Sequence, residues 1–278
     1  MTQSPRSWLY VPGDRPDRIT KALSGAIQAD AVIVDLEDSV RLADRPQARR
    51  NLVEAATAHH PADQTQRPAL WVRINSGDQG RLDLDVIFTQ PLAIAGLILA
   101  KCETSAWLDL VAANAPAGLV LCPLIESALA VRQLDELCQH PSVQRCHLGE
   151  IDLLADLGGS PGQAEVLIGP ARVALVYAAA AARISAPIGG VHADVDDLVA
   201  LATSSAHWQQ LGFGGRAVIH PNHCETVNRS FSFSNAETAW ATDLLAQANH
   251  HRAGAFRATD GTMVDEAVLR RARRIVGQ

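Results

Sequence analysis

The hydrophobic pattern is a succession of short aliphatic runs. Each is followed by a longer stretch in which apolar residues recur at helical spacing. The runs that predict strands are Ser7–Val11, Ala31–Asp35, Ala69–Ile74, Gly96–Ala100, Val120–Leu124, Arg145–Gly149, Ile188–Gly190 and Arg216–Ile219. Several of them, such as AVIVD at 31–35 and GLILA at 96–100, are apolar on both faces. A strand without a polar face must be covered on both sides, as in a parallel sheet wrapped by helices. Eight β–α units in 278 residues predict an α/β fold of the (β/α)8 TIM-barrel type. The alternative, an open doubly wound sheet, lacks its GxGxxG turn after the first strand.

Helix starts are marked where the chemistry of the first turn allows. Pro16 and Pro46 open two helices, because a missing N–H costs nothing there. Thr104 or Ser105 caps a third. Val173–Ala182, with Arg172 and Arg183 at its ends, reads as a buried helix too short to cross a bilayer. Residues 1–221 are assigned to the barrel and 222–278 to a C-terminal extension. In the extension, His223–Ser234 is irregular or short-helical, Asn235–His251 is a helix, and a glycine-containing loop leads into a basic final helix. Closure of the barrel does not need this tail, which would either lie over the active site or contact a neighbouring subunit.

Composition narrows the function. Hydrophobic residues make up 47% and aromatics only 4%, so the core is aliphatic. A net charge of −6 is the wrong sign for a nucleic-acid binder. It still permits anionic small molecules, which a few arginines can hold. Five cysteines with no CxxC pair suggest neither a disulfide framework nor a zinc site, and fit a reduced, cytoplasmic setting. The N-terminus has no apolar signal core, and no membrane association is expected.

Candidate chemistry lies at the strand ends. The carboxyl ends of the strands form the active face of a TIM barrel. Strand two ends in Asp35-Leu36-Glu37-Asp38, strand three in Arg73-Ile74-Asn75, and strand four at Lys101. Strand five leads to Glu126, strand six to Asp152, and strand eight to His220. Glu126 and Asp152 fall on adjacent strands with no His or Cys ligand nearby. They either cap the helices that follow or hold a hard ion such as magnesium, which takes one or two protein carboxylates. Arg73 either binds a substrate carboxylate or a developing oxyanion, or pairs with an acid such as Glu37. Glu37 or Asp38 would orient Arg73 or metal-bound water, with Asp35 structural. Lys101 is a charged partner for these acids and, with Arg73, a candidate substrate-binding residue, rather than a Schiff-base nucleophile. His220 is either a general base or a hydrogen-bonded wall residue.

The stretches RSWLYVPGDRPDRITKAL, DAVIVDLEDSV, WVRINS, LILAKCE, PLIESALAV, GEIDLLADLG and AVIHPN follow one another along the chain. In that order they resemble the HpcH/HpaI aldolase superfamily, and most closely its citrate lyase β-subunit-like branch, with the malyl-CoA and citramalyl-CoA lyases. The resemblance implies a TIM barrel, a homotrimer or hexamer, and Mg2+ held by Glu126 and Asp152. It implies that Arg73 meets the reacting end of the substrate, and that Asp265 reaches a neighbouring subunit's site, although an N-cap explains Asp265 equally well. Arg15, Arg18 and Lys21 would meet coenzyme A phosphates, and Gly254-Ala255-Phe256 would lie near the thioester arm. Two departures stand out: Ala100 where the family often has Pro, and Ile151 where it often has an acid before the aspartate.

The implied activity is magnesium-dependent carbon–carbon cleavage of a 3-hydroxy-acyl-CoA to acetyl-CoA and a 2-oxo acid. Arg73 would stabilise the thioester enolate, and Asp265 or a water would return the proton. The rivals are an acyl-CoA thioesterase or malate-synthase-like enzyme, a citrate lyase subunit served by an acyl carrier protein, a free-acid aldolase, and a non-catalytic binding protein.

Overall fold

The structure is a computed structural model that describes residues 4–59, 68–250 and 255–277. Eight parallel strands close into a barrel in sequence order. They are β1 (Ser7–Pro12), β2 (Ala31–Asp35), β3 (Ala69–Ile74), β4 (Gly96–Leu99), β5 (Val120–Ile125), β6 (His147–Leu148), β7 (Ile188–Gly189) and β8 (Gly215–Val218). Barrel closure pairs Ser7–Leu9 with Arg216–Val218. The TIM-barrel expectation holds, and all eight strands lie where the aliphatic runs placed them. The sixth and seventh shrink to two residues each, and the fourth stops one residue early.

The helices are α1 (Pro16–Leu23), α2 (Arg45–Ala58), α3 (Gly77–Phe88), α4 (Ser105–Asn114), α5 (Ala128–Arg132), α6 (Leu134–Gln139), α7 (Glu150–Asp156), α8 (Ala164–Ala182), α9 (Leu198–Leu211) and α10 (Asn222–Ser230). Pro16 and Pro46 stand in the first turns of α1 and α2. Thr104 is the N-cap residue of α4, but its hydroxyl makes no cap bond.

Two apolar layers hold the barrel. Leu9, Val32, Val34, Leu97 and Leu99 point outward into the helix layer. Trp8, Ile33, Trp71, Ile98 and Ile188 fill the interior. Each such side chain contributes roughly 1.5–3 kcal/mol on burial. Trp71 occupies the space beside Gly96, where a Cβ would lie 2.4 Å from its ring, so only glycine fits there. The five cysteines are free and buried.

Helix α8 corrects the expectation of a short, wholly buried helix. It presents Ile168, Ala171, Arg172, Leu175 and Ala178 inward, while Val173 and Tyr177 are exposed. Arg172 lies inside the helix rather than at its end, paired with Glu150 at 2.5 Å and Glu165 at 2.6 Å. The span Pro161–Ala182, 22 residues with an 18-residue window of mean hydropathy 1.4, is long and apolar enough to cross a membrane by length and composition. Its inner face packs on α5, α6, α7 and α9.

The chain divides into two compact units, and the division falls at Phe231/Ser232 rather than at 221/222. The reason is α10, which packs on β1, β8 and α9 and so belongs to the barrel. The C-terminal unit contains α11 (Asn235–His250), an antiparallel pair β9 (Phe256–Arg257) and β10 (Met263–Val264), and α12 (Glu266–Val276). The segment expected as a loop thus carries a small hairpin. Ala241, Leu244, Val264, Ala272 and Ile275 form the unit's own core. Gly254 lies outside the described residues.

Candidate active site at the carboxyl end of the barrel

Residues at the carboxyl ends of the strands line a cavity of about 230 Å³, among them Tyr10, Asp35, Asp38, Arg73, Glu126, His147 and Asp152. A larger cavity, about 490 Å³, lies among Leu119, Val120, Val143 and Ile184 at the opposite ends of the strands. No carboxylate lines that one, so size does not locate the chemistry.

Strand β2 ends at Asp35, whose carboxylate accepts from the backbone N–H of Glu37 at 3.0 Å and of Ser39 at 3.1 Å. The DLEDS loop thereby folds around this buried acid. Arg73 donates to it through Nε and Nη2, both at 2.6 Å. Burial alone would raise the Asp35 pKa, but Arg73 and the loop donors hold it below the usual carboxylate range. Arg73 lies farther from Glu37, at 3.2 Å, and from Asp38, at 4.0 Å. Glu37 therefore stands as a partner of Arg73, but Asp35, expected to be structural only, provides the two-point grip. The reason is register, because Asp35 and Arg73 are direct partners on neighbouring strands.

Lys101 follows β4 in left-handed backbone conformation, with φ at 51°. That turn aims its N–H at Glu126 Oε1, 2.6 Å away, while its Nζ reaches Glu37 at 2.7 Å. The bond to Glu37 raises the Lys101 pKa above its ordinary value. A Schiff-base lysine needs the opposite, so the charged-partner reading stands. Glu37 is itself raised, by burial and by Asp38, against the pull of Arg73 and Lys101.

Glu126 is almost wholly buried, and its Oε2 has no hydrogen-bond partner. Burial, with the negative charges of Glu37 and Asp152, pushes its pKa up to about 7. Gly149 makes room for it: a Cβ there would lie 2.7 Å from Glu126 Cβ and 3.1 Å from Oε2. Asp152 stands in the first turn of α7, exposed on the same cavity. Among the described residues, no group of three or more His, Cys, Asp or Glu side chains is arranged to hold an ion. The protein's offer is therefore two carboxylates, one carrying an orphaned buried oxygen. This donor set fits magnesium, which fills its remaining positions with water and substrate oxygens.

The other candidates are placed less centrally. Arg15 pairs with Asp17 at 3.1 Å, and Arg18 is exposed on α1; neither lines the cavity. Asp265 belongs to the C-terminal unit and caps α12, accepting from Val268 N–H at 3.0 Å. His220 accepts from Asn222 N–H at 3.3 Å and is absent from the cavity wall. Sequence reasoning missed Tyr10 and His147, which line the cavity as a bonded pair. The one signal was a histidine inside an otherwise apolar strand.

The family description that matches residues 6–221 is HpcH/HpaI aldolase/citrate lyase. A citrate lyase subunit beta-like protein of Mycobacterium tuberculosis is 33% identical, over 95% of this chain and 92% of that one. A (3S)-malyl-CoA thioesterase of Cereibacter sphaeroides is 32% identical, over 98% of this chain and 94% of that one. The crystal structure of CitE from M. tuberculosis with magnesium, acetoacetate and coenzyme A superimposes with a TM-score of 0.79 at 30% identity, covering 99% of this chain and 98% of that one. The barrel, the acids at its carboxyl end and these likenesses agree: the chain belongs to the HpcH/HpaI aldolase/citrate lyase family.

Proposed function

We propose that the protein is a magnesium-dependent carbon–carbon lyase that cleaves a 3-hydroxy-acyl-CoA of the malyl, citramalyl or citryl type to acetyl-CoA and a 2-oxo acid. The observation that carries this reading is Glu126, with its orphaned Oε2, lining one cavity together with Asp152 and Arg73. The magnesium and coenzyme A bound by the CitE neighbour support it.

A magnesium ion bound between Glu126 and Asp152 would act as a Lewis acid toward the substrate's hydroxyl and adjacent carboxylate. The chain's own residues do the rest. As the hydroxyl proton passes to a carboxylate on the cavity wall, Asp38 in this reading, the C–O bond becomes a carbonyl. The electrons of the breaking C–C bond pass to the thioester, which becomes an enolate. Arg73, held rigid by Asp35, donates to that oxyanion without reorganising. Glu37 and Lys101 balance the charge around Arg73 and fix the loop that presents the Glu126 partner amide. The enolate carbon then takes a proton, for which this reading carries Asp265 of a neighbouring copy in a trimer or hexamer.

A second reading has one specific support, the similarity to a malyl-CoA thioesterase. Hydrolysis would use the same site but release free thiol. The test is an assay of purified protein with malyl-CoA and citramalyl-CoA, with and without chelator, following 2-oxo acid and thiol separately. Lyase activity gives 2-oxo acid without thiol and stops on chelation or in Glu126→Ala. Thiol release in place of 2-oxo acid establishes the hydrolase. Carbon–carbon cleavage that survives chelation contradicts the metal assignment.

A further inference from the structure

The wall of the site cavity has two unlike arcs. Asp35, Asp38 and Arg73 line it from the ends of β2 and β3. Three aliphatic residues line it elsewhere, each a short way past its strand: Ile151 after β6, Val191 after β7 and Ile219 after β8. Strand β7 pairs with both β6 and β8, so consecutive strands carry the three. In the closed ring of eight, this arc stands opposite β2 and β3. Ile151 is 60% exposed and Ile219 46% exposed. A lone exposed aliphatic carries no message. Three on one stretch of a cavity wall offer apolar surface to whatever enters.

Charge on the wall is as unevenly placed. Among the described residues that line the cavity, Arg73 is the only lysine or arginine, against the carboxylates of Asp35, Asp38, Glu126, Glu150 and Asp152. The Arg73 guanidinium is already engaged, by Asp35 through Nε and Nη2 and by Glu37 at 3.2 Å from Nη1. Lys101 is not part of the lining, and its Nζ is held by Glu37 at 2.7 Å. Glu150 is matched by Arg172. A magnesium ion would be balanced by Glu126 and Asp152 themselves. A ligand with one carboxylate can place it on that ion. A second carboxylate meets no unengaged cation on this wall, and Asp38 repels it.

In the proposed cleavage, the carbon that becomes the 2-oxo carbon carries a hydroxyl, a carboxylate, the thioester arm and one further substituent. The metal takes the first two groups and Arg73 serves the third. The substituent is left for the rest of the wall. We propose that Ile151, Val191 and Ile219 are specificity-determining residues that select an uncharged alkyl substituent, favour ethyl over methyl, and reject a carboxymethyl group. The inference rests on the reading of the cavity as a 3-hydroxy-acyl-CoA lyase site and deepens it. Of the malyl, citramalyl and citryl types it excludes the citryl, whose substituent is carboxymethyl, and it extends the range beyond methyl.

Pyruvate, 2-oxobutyrate and freshly dissolved oxaloacetate present methyl, ethyl and carboxymethyl on the same 2-oxo carboxylate. Each is titrated calorimetrically into the full-length protein with Mg2+. Wild type is expected to bind 2-oxobutyrate about fourfold more tightly than pyruvate, the value of one buried methylene. Oxaloacetate should bind about tenfold or more weakly than pyruvate, because its second carboxylate stays unpaired beside like charge. Ile151→Arg puts a cation on the wall at an exposed position. Oxaloacetate should then tighten about tenfold, and 2-oxobutyrate should lose its advantage. Ile219→Ala should reduce the ethyl preference to less than about twofold while pyruvate still binds. Oxaloacetate bound by wild type as tightly as pyruvate, 2-oxobutyrate bound no more tightly than pyruvate, or selectivity unmoved by both substitutions overturns the assignment, with the cavity still a 2-oxo acid site. Failure of wild type to bind any of the three with Mg2+ overturns instead the reading of the cavity on which the assignment rests.

Discussion

Arg73 grips Asp35 with two parallel bonds, Nε to Oδ1 and Nη2 to Oδ2, each 2.6 Å long. The pair is nearly buried, with side-chain exposures of 12% and 1%. Breaking one partner of a buried pair costs about 3 kcal/mol or more, because the other charge stays behind unpaired. Asp35→Asn is therefore expected to lower unfolding stability by about 3 kcal/mol, read from urea denaturation. Arg73→Lys keeps the charge but loses the fork. It should fold with less damage, while kcat falls roughly 10²–10³-fold, the usual loss when an oxyanion donor is removed.

The space for Glu126 is set by Gly149. An added Cβ would sit 2.7 Å from Glu126 Cβ and 3.1 Å from Oε2, whereas at Gly190 its nearest neighbours are 3.2 Å away. Gly149→Ala should therefore displace the Glu126 carboxylate and weaken Mg2+ binding at least tenfold. Gly190→Ala should leave it within about threefold. Calorimetric Mg2+ titration of both variants separates the two cases.

The raised pKa of Glu126 sets a pH dependence with a definite sign. Its ordinary value is 4.5 and its folded value about 7, raised first by burial. The folded state holds this proton more tightly than the unfolded chain. Its stabilising contribution is thus full below about pH 4.5 and is lost as pH rises through about 7. Mg2+ competes with that proton, so its stabilising effect should grow as pH rises and level off above about 7. Melting curves from about pH 5 to 8, with and without Mg2+, check this. Glu126→Gln should flatten both trends.

Lys101 pays for its two bonds with a left-handed backbone, φ 51°. Glycine takes that conformation freely and alanine does not. Both Lys101→Gly and Lys101→Ala lose the Glu37 pair, but the glycine variant should be more stable than the alanine variant by about 1 kcal/mol. Equal stabilities in denaturation would show that the turn is unstrained.

Much of this was legible along the chain, and what was hidden has a common cause. Strands such as Ala31–Asp35 declared themselves because they are apolar on both faces, and the helices through Pro16 and Pro46. The acids at 126 and 152 could be placed on adjacent strands by counting β–α units. Lys101 was correctly read as a partner for acids. The part that failed was lateral: which residue stands beside which across strands. Asp35 seemed structural and Glu37 the natural partner of Arg73 until register placed Asp35 opposite it. Tyr10 and His147 are 137 positions apart and meet only because the barrel closes. No local pattern encodes such a meeting. The boundary near 221 was misplaced for a related reason, since α10 is held by packing on β1 and β8 rather than by any break in the sequence.

The central claim is that Glu126 and Asp152 together hold a divalent cation beside Arg73. Anomalous diffraction from crystals soaked in Mn2+ and pyruvate tests it most directly. The account predicts one strong manganese peak within bonding distance of a Glu126 and an Asp152 carboxylate oxygen, with pyruvate oxygens on the same ion. A peak bound elsewhere, or a cavity that takes up pyruvate with no metal beside those two acids, would contradict it.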